Sequence, residues 1–297
     1  MMRLFIGGNV FLAHSFPPMA NQQNSLRYDP RTLSQAYFEL AKRWLIAAIS
    51  AKFLVFIFGI LTIFLPIIPG YAPFIITIFS ITSDLFAWRS DMIKSTSEAL
   101  LRKLDYWNSF GWAMSKAEMS DLLMRSPSNL YKLAPSDIVG EEYFASKEGV
   151  GAKRAIENIQ ESAWWSKHLS ERMGQYCFAA TCILIAILFG VLVLSVQTIA
   201  GSNTLTNIGR VVTSSLMLVF SLGLFRFVVG YYSFSRKAGQ IEEKIENLIK
   251  LQTIDDTEAI KVVQEYHIAR ASAPLIPSWV WKQMRNDLNE MWKKYRQ

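Results

Sequence analysis

A chain of 297 residues can hold one or two ordinary domains, but a mean hydropathy of +0.19 with 51% apolar residues is high for a water-soluble protein. The formal charge of +7 is spread without a dense basic tract, which argues against a surface built to hold a nucleic-acid polymer. The two cysteines, Cys177 and Cys182, fall five apart on one expected helix, so they cannot pair with each other and read as small apolar residues.

Residues 1–46 form an N-terminal segment whose first 18 residues are set aside, because Met19 is as good a start as Met1. Residues 47–88 then read as a transmembrane hairpin. Its first span runs from near Ala47 to Leu65, Pro66 and Pro69-Gly70 make a turn, and Phe74 to Trp88 must return antiparallel. Residues 89–176 read as helical and polar. Ile93, Leu100, Leu101 and Leu104 keep helical spacing, so the second span should continue as a stalk. Ser115 with Glu118 is a capping box for a short helix that ends before Ser126, and 127–151 is an irregular connector. From Ala152 a helix should run directly into the third span, Cys177 to Ala200, and after a polar loop at Gly201-Ser202-Asn203 the fourth span covers Val211 to Tyr232. Residues 233–297 add further helices. Asp255 with Glu258 caps one, and Ser278 can cap a last one with Trp281, Met284, Leu288, Trp292 and Tyr295 on one face.

The expected fold is therefore all-α: an integral membrane protein with four transmembrane helices in two hairpins and helical extensions on one side. Lys42, Arg43, Arg89, Lys94, Lys167, Arg172, Arg236 and Lys237 lie on the side of the termini, against Arg210 alone at the tips. The positive-inside rule makes both termini and the central segment cytoplasmic, in a multi-pass protein of a plasma membrane.

The search for chemistry points away from an enzyme. His14, His168 and His267 are scattered with no second ligand at metal spacing, and the Gly149–Arg154 stretch lacks the spacing of a phosphate loop, so no metal, cofactor or catalytic residue is expected. His168 beside Trp164 and Trp165 suits packing at a membrane interface. The informative polar residues lie in the spans. Lys52 and Asp84 fall at similar depth on paired helices, and Arg226 occupies the same third of the fourth span. Thr77, Ser80 and Asp84 form one stripe, and Ser214 and Ser221 another, which suits either a pore wall or helix-to-helix hydrogen bonding.

Several short stretches carry a family resemblance. Gln23-Asn24 is followed by Tyr37 and Ala41-Lys42, Leu104-Asp105 precedes Phe110-Gly111-Trp112, Asn158–Ala163 leads into the third span, and Pro274-Leu275-Ile276-Pro277 precedes Arg285. In these the chain resembles the SMODS-associated four-transmembrane effectors of bacterial conflict systems, although Phe110-Gly111-Trp112-Ala113 departs from that family's Leu-Pro-Trp-Asn. The resemblance implies an inner-membrane effector of anti-phage defence that, once triggered, disturbs the bilayer. Its trigger would be a nucleotide second messenger or a partner protein. Because four helices of one chain pack shut, a conducting path needs several copies around an axis, as a homo-oligomer, or a conformational opening. A second reading is a membrane-anchored scaffold whose last helix docks a partner protein through Trp279, Trp281 and Trp292.

Overall fold

The computed structural model describes residues 29–64, 71–134, 144, 146–198, 202–250 and 254–296. Among these the chain forms eight α-helices and one 3-10 turn and no strand. They are α1 Pro30–Phe64, α2 Ala72–Phe110, α3 Lys116–Arg125, the turn Leu130–Leu133, α4 Ala152–Thr198, α5 Ser202–Ser221, α6 Leu224–Ile249, α7 Asp256–Ser272 and α8 Ser278–Arg296.

Local chemistry explains most boundaries. Asp29 caps α1, its Oδ2 accepting from the Thr32 amide at 2.9 Å, and Pro30 fills the first position, where a missing N–H costs nothing. Gly111 ends α2 in the left-handed conformation at φ 73°, its amide donating to Trp107 O. The expected box at Ser115 and Glu118 closes in both directions. Asp255, by contrast, precedes α7 without a side-chain cap bond, and the stalk and the third span are as continuous as the lack of breakers suggested. The hairpin tips at 65–70 and 199–201 lie outside the described residues.

α1 and α2 pack antiparallel along their length, held by a repeated contact. Ser83, Ser90 and Ser97, seven apart and buried, each donate a hydroxyl hydrogen bond to a carbonyl of α1: Ala48 O at 3.0 Å, Ala41 O at 2.8 Å and Ser34 O at 2.6 Å. The acceptors are also seven apart, in the opposite direction. Ala36, Ala41 and Ala48 beside them are buried, so small residues on both helices let the backbones approach. α4 and α6 form a second antiparallel pair. Ser235 donates to Lys167 O at 3.0 Å, and Gly174 leaves room for Tyr231 and Tyr232.

Two helical stretches, 30–61 and 152–190, are long and apolar enough to cross a membrane. Their apolar side chains face outward: Phe53, Ile57, Ile183 and Phe189 are exposed, where the core helix of a water-soluble protein would bury them. Four spans are not shown, and the expected fourth differs in detail. A helix already starts at Ser202 and breaks at Leu222-Gly223, where Gly223 takes φ 67° and serves as the cap of α6. A residue without Cβ is the one that adopts this conformation without strain.

Away from the exposed apolar surface, α2, α4, α6 and α7 converge on a core of Ile156, Ile159, Ile241, Ile245, Val262 and Tyr266. The link 273–277 crosses from α7 to α8 over both hairpins. Lys94 of α2 donates to Ala271 O at 2.7 Å and to Ala273 O, and Tyr231 of α6 donates to Leu275 O at 2.6 Å. Pro274 lies so close to Gly230 that an added Cβ would come within 2.8 Å of its ring. Gly230→Val should therefore expel the link and lower stability by about 1–3 kcal/mol, read as thermal unfolding in detergent. Gly239→Ala, whose nearest contact would be an ordinary 3.6 Å, should be neutral or slightly stabilising.

Candidate functional site

The densest group of buried charge lies where α2 meets α7. Glu98 and Asp105 sit seven residues apart on one face of α2, while His267 and Arg270 occupy successive turns of α7. Arg270 spans them all. Its Nε donates to Glu98 Oε2 at 2.8 Å, Nη1 to Asp105 Oδ2 at 3.3 Å, and Nη2 to His267 Nδ1 at 3.2 Å. A guanidinium only donates, so His267 Nδ1 must accept and its proton sits on Nε2. Burial is the largest influence on both titratable neighbours. It raises Asp105 to about 6 against the pull of Arg270, and lowers His267 to about 3, reinforced by Arg270 and Arg102.

Beside this group opens a cavity of about 540 Å³, walled by α2 from Ser90 to Arg102, by α6 from Arg226 to Gly230 and by the link from Ala271 to Leu275. Lys94, Arg102 and Arg226 lie on its wall, with Asp91 and Glu98 as the opposing carboxylates. Burial lowers the Lys94 pKa, and Arg270 adds to that, whereas Glu98 and Asp91 act the other way. The Ala271 carbonyl in the last turn of α7 and the Ala273 carbonyl at the start of the link occupy the ammonium, so Lys94 acts first as a clasp on the connection between α7 and α8.

The residues singled out from the sequence are dispersed over three places. Lys52 and Asp84 meet as the depth argument required, at 3.8 Å, but Asp84 stays 74% exposed. Arg226 belongs instead to the cavity, one to two turns toward the polar bundle along with Leu45 and Ser90. Thr77, Ser80 and Asp84 all face outward. Ser214 is half-buried, and the side chain of Ser221 lies outside the described residues.

The tryptophans of α8 do not act together. Trp279 is exposed and meets Tyr176 at 5.4 Å between ring centroids, and Trp281 lies under Arg285 at 4.9 Å. Trp292 is buried against Trp164 at 5.3 Å, which removes it as a docking residue, because its ring already fills the core between α4 and α8. Trp164 also meets His168 edge-on at 4.8 Å between ring centroids.

Sequence reasoning missed Glu98, His267 and Arg270. The signal that existed was Asp105 within one of the resembling stretches, and single residues of three of those stretches pack against other parts of the polar bundle. Asp105 meets Arg270, Asn158 Nδ2 lies 3.4 Å from Ser109 Oγ, Tyr266 OH donates to Ser162 O, and Pro274 abuts Gly230. No protein-family model matches the chain, and no characterised protein or solved structure matches it either.

Two outcomes follow from the buried charges. Arg270→Ala strands two carboxylates and should cost about 3–5 kcal/mol, seen as a lower thermal midpoint and faster proteolysis between α6 and α7. The second concerns acid. The raised pKa of Asp105 adds stability below about 4 that is lost as pH rises through about 6, whereas the lowered pKa of His267 removes stability as pH falls from 6.5 towards 3. The two slopes oppose each other, so Asp105→Asn should lose thermal stability between pH 6 and pH 4 more steeply than the wild type.

Proposed function

We propose that the chain is a multi-pass membrane effector that assembles into a homo-oligomer and permeabilises the bilayer when its polar helices receive a signal. In this reading α1, the first part of α2, the second part of α4 and the α5–α6 pair are four spans in two hairpins. The remaining helices and both termini are cytoplasmic, and the membrane is the inner membrane of a bacterium. A role in anti-phage defence, with a nucleotide second messenger or a partner protein as trigger, comes from the resemblance of the short stretches alone.

One observation carries the assembly. On the outward face of α2, Thr77, Ser80 and Asp84 form a polar stripe flanked by the exposed Ile78, Ile81 and Leu85. The Thr77 hydroxyl is satisfied within its own helix by Pro73 O at 2.7 Å. A carboxylate has no such resource, and holding one against hydrocarbon costs about 2.5–3.5 kcal/mol even on lenient insertion scales. Lys52 at 3.8 Å offsets only part of this, because the pair leaves most of the Asp84 side chain uncovered. Copies that turn their stripes towards one another or towards a shared water path remove the penalty.

The test is cysteine crosslinking in native membranes, on a Ser80→Cys chain with Cys177 and Cys182 changed to Ser. Crosslinked dimers and higher species are expected, and a chain that remains monomeric under oxidant sinks the assembly. Asp84→Ala should still insert but lose the ability to depolarise cells that overproduce it. Normal depolarisation by that variant removes the stripe from the mechanism.

A further inference from the structure

The cavity beside the buried charges holds cations that the fold does not use, and from this we infer that it is a binding site for a phosphate-bearing anion, gripped by Arg102 and Arg226. Both guanidinia line the same space from different helices, α2 and α6. Neither takes part in any ion pair or hydrogen bond among the described residues, although Arg270 a short distance away engages three partners. Paired planar donors on two walls of one cavity are the arrangement that holds phosphate oxygens bidentately.

A second observation stands apart from the arginines. His267 lines the cavity while only 3% exposed, and its Nε2 has no hydrogen-bond partner. Because Nδ1 accepts from Arg270, Nε2 carries a proton, leaving a buried donor without an acceptor. Nε2 itself is closed off from solvent, so it stands behind the cavity wall, and Arg102 and Arg226 are the donors that an anion in the cavity meets directly. The carboxylates do not cancel the set, since Glu98 is occupied by Arg270 at 2.8 Å and only Asp91 remains as a repulsive charge.

The rest of the wall describes what the phosphate is attached to. Leu45, Phe227, Pro274 and Leu275 give the cavity an apolar side, so the ligand is an ester with an apolar or ring substituent rather than a bare ion. A phospholipid headgroup and a soluble nucleoside monophosphate share that chemistry. The inference rests on the cavity and not on assembly of the spans, so a negative crosslinking result leaves it standing.

Purified full-length chain in dodecyl maltoside is titrated by calorimetry with three probes: inorganic phosphate, dihexanoyl phosphatidylglycerol and adenosine monophosphate. Saturable binding of at least one ester is expected, tighter than inorganic phosphate, and whether the lipid or the nucleotide binds tells the source. Arg102→Ala and Arg226→Ala, both at exposed positions, should each weaken it at least tenfold, and Asp91→Asn should strengthen it. Lys261→Ala on α7, away from the cavity, should leave it unchanged. Failure of all three probes to bind saturably, or binding that survives the Arg102→Ala/Arg226→Ala double substitution, overturns the site.

Discussion

The seven-residue rhythm of serine hydroxyls on α2 is the constraint from which the rest of the architecture hangs. Each of Ser83, Ser90 and Ser97 reaches a carbonyl of α1 that already belongs to a helix ladder, so the bond adds attraction without breaking the ladder. In water such a bond contributes little; in a bilayer, where no solvent competes and hydrocarbon gives no hydrophobic drive between helices, close packing and shared carbonyls are what remain. A strict seven-residue repeat also underwinds a pair of helices towards a left-handed supercoil. The register is fixed at three points along both helices, so sliding or rotating α2 against α1 forfeits all of them together.

With that register set, α2 becomes a ruler on which the distal helices are located. Lys94, Glu98 and Asp105 project from it to the link and to Arg270, while Ser97 and Ser90 hold its other face against α1. A buried ion group of this kind adds little net stability over apolar packing, yet it penalises every alternative docking of α7 that leaves a charge unanswered. Further along, Ser278 donates to Glu39 Oε1 at 2.8 Å and accepts from Lys42 at 2.8 Å, tying the start of α8 to α1. The helices after α6 are thus pinned to the first hairpin mainly by polar contacts, and to α4 and α6 by apolar packing together with hydrogen bonds such as Tyr266 OH to Ser162 O.

How much of this was legible depended on the range of the interaction. Helix continuity through Trp88 and through Gly174 could be read because nothing local opposes it, and the capping box at Ser115 because both partners lie within one turn. The Lys52–Asp84 pair was legible from depth alone, since a hairpin brings equal depths together. Arg270 was not, because its partners lie 172 and 165 residues earlier in the chain and no periodicity marks them. The serine repeat was present in the sequence but overshadowed by Thr77, Ser80 and Asp84, which occupy a different face of the same helix. Trp292 misled because an amphipathic face with aromatics looks the same whether its partner is another protein or α4. Gly223 gave no warning either, since glycine is common inside apolar helices and breaks only those whose packing asks for it.

That break gives the molecule an asymmetry. α2 and α4 pass uninterrupted from the polar bundle into the exposed apolar region, at 39 and 47 residues, so a displacement of either at one end is carried to the other. α6 ends at Gly223, and α5 meets it through a left-handed glycine rather than a continuous ladder of i→i+4 bonds. A change in the bundle therefore reaches the first hairpin and α4 as rigid rods, but reaches α5 only through a joint. Arg226 sits one turn past that joint and faces the same cavity as Arg102. Whatever occupies the cavity pulls on α6 just past the joint, and α2 holds the other wall in place. Among the described residues the interhelical serine contacts and the buried ion group lie on α1, α2, α4, α6 and α7, so the joint at Gly223 is where a change of tilt disturbs them least.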